Sequence, residues 1–234
     1  MSDGKVVRID GVRVRRTPNY GDSRQQSFCV FCGGSADTQD HLPSRVFLDQ
    51  PYPEDLAHVP ACRDCNNGFS LDEEYVAVLL EVEASGSCAA VKRPKIRKAL
   101  DHNPQLRDRV MNDSASSTPY KDERIKRVLI KLARGHVAYD LNDPQLDDPT
   151  YISLARLQDV NPQTRHAFET PPAADIYPEV GSRTFLEMVS SQRSTHYVWV
   201  EAQRGRYRYL PYIGDGVGVR MVIGEFLAGE VIWL

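Results

Sequence analysis

Hydrophobic spacing divides the chain into a helical middle and a strand-rich end. Ile125, Val128, Leu129 and Leu132 recur at intervals of three and four, with Lys121, Arg124, Lys126, Arg127 and Lys131 at other positions. Residues 122–134 therefore read as an amphipathic helix, which Gly135 stops. A second helical run holds Tyr75, Val76, Leu79, Leu80 and Val82. It opens on Ser70 and Glu73 in capping-box spacing, with the acids Asp72, Glu73 and Glu74 in its first turn, and ends near Ser85-Gly86. In the last third, residues 197–200, 207–210, 217–223 and 226–234 are rich in β-branched and aromatic side chains. Gly205, Gly214-Asp215-Gly216 and Gly229 punctuate them, so they predict an antiparallel sheet packed on the preceding helix.

The first third is patterned by other means. Residues 1–26 alternate weakly through Val6, Ile9, Val12 and Val14 and carry an excess of Lys and Arg. This is either a basic arm that touches phosphates or a solvated edge strand and tail. From 27 to 86 the order strand, loop, strand, helix is expected, with Pro51 and Pro53 keeping 50–58 out of ladder pairing. Residues 112–119 are the best linker candidate, so 87–120 reads as a basic segment and linker, and 121–234 as an α+β C-terminal domain.

Composition changes this picture in two ways. With 234 residues, 41% hydrophobic and 26% charged, the chain can bury a substantial core as one large or two small domains. Its formal charge of −3 excludes capture of nucleic acid by overall charge, so any such contact needs local patches. No apolar run approaches the roughly 20 residues of a membrane span, and the N-terminus is too polar for a signal peptide, so a cytoplasmic protein with no membrane partner is expected.

The cysteines carry the chemistry. Cys29-x-x-Cys32 and Cys62-x-x-Cys65 form two knuckles within one short segment, while Cys88 stands apart. Two such pairs read as a tetrahedral thiolate site for structural zinc, each turn giving two sulfurs. Between the knuckles lies Asp40-His41-Leu42-Pro43, and Asn66-Asn67 follows the last cysteine directly. Hydrolysis of a phosphodiester needs an activated water and a sink for the charge on the leaving oxygen. A neutral imidazole near its pKa of about 6.5 can take the water's proton, and a hard cation prefers carboxylate and amide oxygens to thiolates. Neighbouring strand residues point to opposite faces, so Asp40 and His41 serve one site only where the strand ends, as Pro43 suggests.

The layout C-x-x-C, D-H-x-x-P, C-x-x-C-N resembles the HNH endonucleases, also called ββα-metal or His-Me finger enzymes, in their zinc-stapled branch. The resemblance covers about a quarter of the chain and rests on order, adjacency and spacing together. It implies a zinc-bound ββα-metal finger over 27–86, with His41 as general base and Asp40 and Asn66 as ligands of a catalytic Mg²⁺ or Mn²⁺. Many members carry an Asn in the loop before the second knuckle. Here that stretch reads Glu54-Asp55-Leu56-Ala57-His58, so either Asp55 or His58 takes that role or it is left empty, and Asn67 is a further candidate for a supporting residue. The implied activity is cleavage of DNA.

Two basic stretches add alternatives. Lys92, Arg93, Lys95, Arg97 and Lys98 form an acid-free run, either a phosphate-gripping patch or a solvated face. Arg204, Arg206, Tyr207, Arg208 and Tyr209 interleave charge and rings, either to grip nucleic acid or as the wet and packed faces of a strand. The competing function is a catalytically inactive zinc-dependent module that binds nucleic acid or protein, with a homodimer or protein partner on the C-terminal region.

Overall fold

The protein is seen in a computed structural model that describes residues 6–9, 12–15, 25–114, 123–193 and 195–234. It is an α+β fold whose sheets are antiparallel throughout. Strands β1 (Val6–Ile9) and β2 (Val12–Arg15) pair with each other in the N-terminal segment; the remainder of the expected basic arm up to residue 24 lies outside the described residues. Strands β3 (Thr38–Leu42) and β4 (Ala57–Ala61) form a hairpin in which His41 faces His58. Helices α1 (Arg63–Gly68) and α2 (Ser70–Ser85) follow at once, and α2 ends on left-handed Gly86, φ 76°. Strand, strand, helix is the order read from the sequence.

Helices α3 (Pro94–His102) and α4 (Pro104–Ser114) occupy most of the stretch expected to be a basic segment and linker. Asn112 to Ser114 is the last turn of α4, and residues 115–122 lie outside the described residues. The patterns there are short, and α3 is anchored by only Ile96 and Leu100 on its inner face. Next comes α5 (Glu123–Leu141), then β5 (Tyr151–Arg156), α6 (Pro162–Glu169), α7 (Arg183–Ser190), β6 (Val200–Gln203), β7 (Tyr207–Ile213), β8 (Val217–Ile223) and β9 (Leu227–Trp233). Five of these strands make one sheet in the order β5-β9-β8-β7-β6.

Helix α5 is the axis of the molecule. Its Ile125, Val128, Leu129 and Leu132 share one core with Val76, Leu79 and Leu80 of α2 and with Tyr209, Val219, Met221 and Val231 of the sheet. Burying each such aliphatic side chain contributes on the order of 1.5–3 kcal/mol. The sheet comes so close that a Cβ on Gly229 would lie 3.1 Å from Leu129. Tyr207 and Tyr209 face this core at 1% exposure, while Arg206 and Arg208 on alternate positions are ion-paired with Glu81 and Glu225. The strand thus has one packed and one salt-bridged face, and its rings are not available to stack on bases.

Gly135 does not end the helix. It sits mid-helix, where Leu42 of the β3–β4 hairpin packs so tightly that an added Cβ would meet Leu42 Cδ1 at 2.7 Å. The absence of a side chain lets the hairpin dock on α5. The next residue, His136, is wholly buried, stacked on Tyr209 at 3.7 Å with its Nε2 2.9 Å from Tyr207 Oη. Burial lowers its pKa, opposed by nearby Asp140.

Gly135→Ala gains helix propensity of about 1 kcal/mol but overpacks Leu42 at a cost of about 1–3 kcal/mol, so a net loss of up to about 2 kcal/mol is expected in urea melts. In a Leu42→Ala background the same change is expected to stabilise, because the obstruction is gone. His136 stays neutral when folded but takes a proton below pH about 6.5 when unfolded. Its stabilising contribution is therefore present above that pH and lost as pH falls. Comparing melts at pH 7 and pH 5 for wild type and His136→Gln is expected to show a smaller acid-side loss in the variant.

Candidate metal and catalytic site

The four-thiol cluster is assembled from two different local structures. In the first knuckle, the Cys29 amide donates to Gly34 O at 2.7 Å and the Gly33 amide to Cys29 O at 2.8 Å, a tight turn that requires φ of +72° at Gly33. In the second, Cys62 is the N-cap of α1 and its sulfur accepts from the Cys65 amide at 3.4 Å. That hydrogen bond lowers the Cys62 pKa, whereas burial raises those of Cys29 and Cys65. Alone these two thiols favour the neutral form, and a cation among them would favour the thiolates. The Sγ atoms of Cys29, Cys32, Cys62 and Cys65 all lie within 4.8 Å of one another, and Cys32 and Cys62 are 3.8 Å apart. Four sulfurs at about 2.3 Å from a tetrahedral zinc ion would be roughly 3.8 Å apart, so the cluster fits zinc. It fastens the first knuckle to the end of β4, a junction reinforced by the Val30 amide donating to Pro60 O at 3.0 Å.

The Asp–His pair lies at the other end of β3. Asp40 is on the inner face of the hairpin and buried, and His41 is on the outer face. β3 stops at Leu42, and there both residues reach the wall of one open pocket of about 400 Å³. Ser44, Arg45, Ser70, Glu73, Glu74 and Lys95 line the same pocket. The wall is divided by charge, with acids on the inner side and the exposed Arg45 and Lys95 at the rim.

The His41 pKa is lowered to about 4, by burial first and then by His58 and Arg45, so the imidazole is neutral at pH 7. Its Nε2 has no hydrogen-bond partner among the described residues. His58 lies edge-on to it, with ring centroids 4.4 Å apart. Asp55, by contrast, lies 3.7 Å from Arg183, away from the imidazole pair. Asn67 serves the chain locally, its carbonyl accepting from Ser70 Oγ.

Asn66 does not share that wall. Its Nδ2 donates to Thr38 Oγ1 and Gln39 O, both at 3.3 Å, which docks it on β3 just before Asp40. Both contacts use the amide nitrogen, which leaves the amide oxygen for another partner. The donors for a second cation in the pocket itself are thus carboxylate oxygens, which a hard ion such as Mg²⁺ or Mn²⁺ takes, and the Asn66 amide oxygen lies outside it. One Asp40 oxygen is already engaged: Lys131 Nζ lies 2.5 Å from Asp40 Oδ2.

The expected basic patch is only partly a patch. Lys92, Lys95, Arg97 and Lys98 are exposed on or before α3, and Lys95 reaches the pocket. Arg93 turns inward, paired with Asp49 at 2.7 Å and donating to Val46 O and Leu48 O. Lys131, Ser44 and Arg45 were not singled out by motif, and Glu73 was read as half of a capping box with Ser70; instead α2 has no side-chain cap and Glu73 turns to Ser44 and Lys131. The trace that Lys131 leaves in the sequence is its helical phase, in line with buried Val128 and Gly135.

Comparison with family models, curated proteins and solved structures finds no match for this chain. Among the described residues no helix is long and apolar enough to cross a membrane.

Purified protein is expected to carry one zinc ion per chain by elemental analysis. Cys62→Ser is expected to lose the zinc and the cooperative thermal transition, since binding of a structural ion is folding free energy. Full zinc content in that variant would count against a four-thiol site.

Proposed function

We propose that this chain is a metal-dependent endonuclease of the HNH type that hydrolyses phosphodiester bonds in DNA. In this reading the ββα-metal finger comprises β3, β4, α1 and their thiol cluster, His41 is the general base, and Asp40 is an oxygen ligand of one Mg²⁺ or Mn²⁺; Asn66, the second ligand the motif implies, is held on Thr38 and Gln39 outside the pocket and would join the ion only by turning toward it. The observation that carries the reading is the pairing of Asp40 and His41 in the wall of one pocket, where β3 ends.

His41 suits the role because it is neutral at pH 7 and offers a ring nitrogen not committed to another group. It would take the proton of the attacking water, and His58 would hold the ring from the facing strand position. Asp40 and Asn66 supply oxygens and no sulfur, which keeps this site distinct in kind from the zinc cluster. A bound divalent ion supplies a Lewis acid for the phosphate and a countercharge for the departing 3′ oxygen. Arg45 and Lys95 at the rim, with Lys92, Arg97 and Lys98 beyond, offer positive charge to flanking phosphates.

A second reading, a zinc-dependent binding module with no activity, is favoured by one observation: the ammonium of Lys131 already neutralises Asp40. Incubation of the full chain with plasmid DNA and Mg²⁺ or Mn²⁺, with RNA and single-stranded DNA in parallel, separates the two. Metal-dependent cleavage is expected, reduced about 10²–10⁴-fold in His41→Ala. Equal rates in the two proteins would remove His41 as base, and no cleavage with either metal would favour the binding module.

A further inference from the structure

Lys131 is the most deeply placed charge around the site. Its side chain is 3% exposed, although it belongs to a helix some ninety residues after Asp40. Three oxygens surround Nζ: Asp40 Oδ2 at 2.5 Å, Glu73 Oε1 at 2.6 Å and Ser44 Oγ at 2.6 Å. The ammonium donates hydrogen bonds to Glu73 and Ser44, while Asp40 Oδ2, which has no hydrogen-bond partner among the described residues, meets it as an ion pair. Ser44 Oγ in turn lies 2.5 Å from Glu73 Oε1, and the rings of Phe31 and Phe69 flank the ammonium at 5.6 and 5.9 Å. The three residues that supply those oxygens also line the open pocket. Their spacing about Nζ resembles that of oxygens around a hard divalent ion, about 2.3–2.6 Å for Ca²⁺.

We propose that Lys131 is a positioning residue of this site: a resident cation, delivered by α5, that clamps Asp40 and Glu73 together and sets how strongly the carboxylate pair takes a divalent ion. The inference rests on the reading of Asp40 as a metal ligand. Two carboxylates and one ammonium give this cluster a net charge of −1, while Glu74, Arg45 and Lys95, which line the same pocket, are common to all the variants below. Asp40 Oδ2 and Glu73 Oε1 are the oxygens in contact with Nζ, so an incoming ion would draw on the other oxygen of each carboxylate. Lys131 thereby stands where a second divalent ion would stand in a two-metal site, and one divalent ion remains to be bound. Glu73 enters as the acid that keeps the cluster negative once Lys131 is paired with Asp40.

The net charge predicts an order of affinities. It is −1 in wild type, 0 in Glu73→Gln, −2 in Lys131→Ala, and −1 again in the double variant. Mn²⁺ alone is titrated into zinc-loaded full-length protein without nucleic acid, and free Mn²⁺ is read by electron paramagnetic resonance. Glu73→Gln is expected to bind at least about tenfold more weakly than wild type and Lys131→Ala at least about tenfold more tightly, with the double variant close to wild type. Zinc content and a cooperative melt establish that each variant is folded. Should Lys131→Ala not fold, the isosteric Glu73→Gln decides alone, and wild-type affinity in it overturns the proposal. Unchanged affinity in both single variants, with Mn²⁺ bound by wild type, removes the role of Lys131 and leaves the nuclease reading standing. If wild type binds no Mn²⁺, that reading falls. Lys131→Ala then sustains the present inference by acquiring Mn²⁺ binding, or overturns it by acquiring none.

Discussion

An ammonium group withdrawn from water costs several kcal/mol unless anions and hydrogen-bond acceptors surround it. Lys131 meets that condition with acceptors from three separate places: Asp40 on β3, Ser44 in the connection after it, and Glu73 on α2. Burial pulls its pKa down, but the two carboxylates more than offset this and the group stays charged. The geometry of the whole region follows. The hairpin, α2 and α5 must meet at one point, because each carries a group that is unstable in the interior without the others. Gly135 and Leu42 extend the same junction by close packing rather than charge.

The finger is therefore fixed at both ends by unlike chemistry. At one end, sulfurs from the first knuckle and from the N-terminus of α1 converge within 4.8 Å. At the other, oxygens converge on an ammonium. Arg134, one turn along α5 from Lys131, ties the two ends by donating to the carbonyl of Phe31 inside the first knuckle. A ββα unit this small has little core of its own, so its outer hairpin relies on the helix that follows it. The candidate site is consequently not separable from the C-terminal half: α5 packs on the sheet with one face and holds Asp40 from the other.

Some of this was legible in the sequence for physical reasons. The knuckles are short-range, and two residues between cysteines fix their geometry with little help from the rest of the chain. The start and end of α2, the apolar stripe of α5 and the strands of the sheet all show in periodicity, although β6 begins three residues later than the pattern at Tyr197 suggests. What was not legible is long-range pairing. Lys131 looks like any lysine on an amphipathic helix until the hairpin is folded against it. Arg93 looks like part of a basic patch until Asp49 and Glu81 are seen beside it. Gly135 reads as a helix stop because the reason for a glycine there, Leu42, lies far away in the chain.

On the proposed function, the distribution of charge bears on the side from which a polyanion would approach. Basic side chains elsewhere are drawn into pairs across the fold: Arg206 with Glu81, Arg208 with Glu169 and Glu225, Arg220 with Glu230, Arg156 with Glu83. Paired in this way they add little to the field outside the protein. Around the pocket the order is different. The acids Asp40 and Glu73 are buried behind it, while Arg45 and Lys95 stand exposed at its mouth. A phosphate chain would meet positive charge first, and only a group carrying its own cation could approach the negative floor. A phosphodiester bridged to a divalent ion has that property, whereas a bare anion does not. The layering of charge at the end of β3 thus supports the same ligand class as the Asp–His pair, and it does so independently of the motif that first drew attention to it.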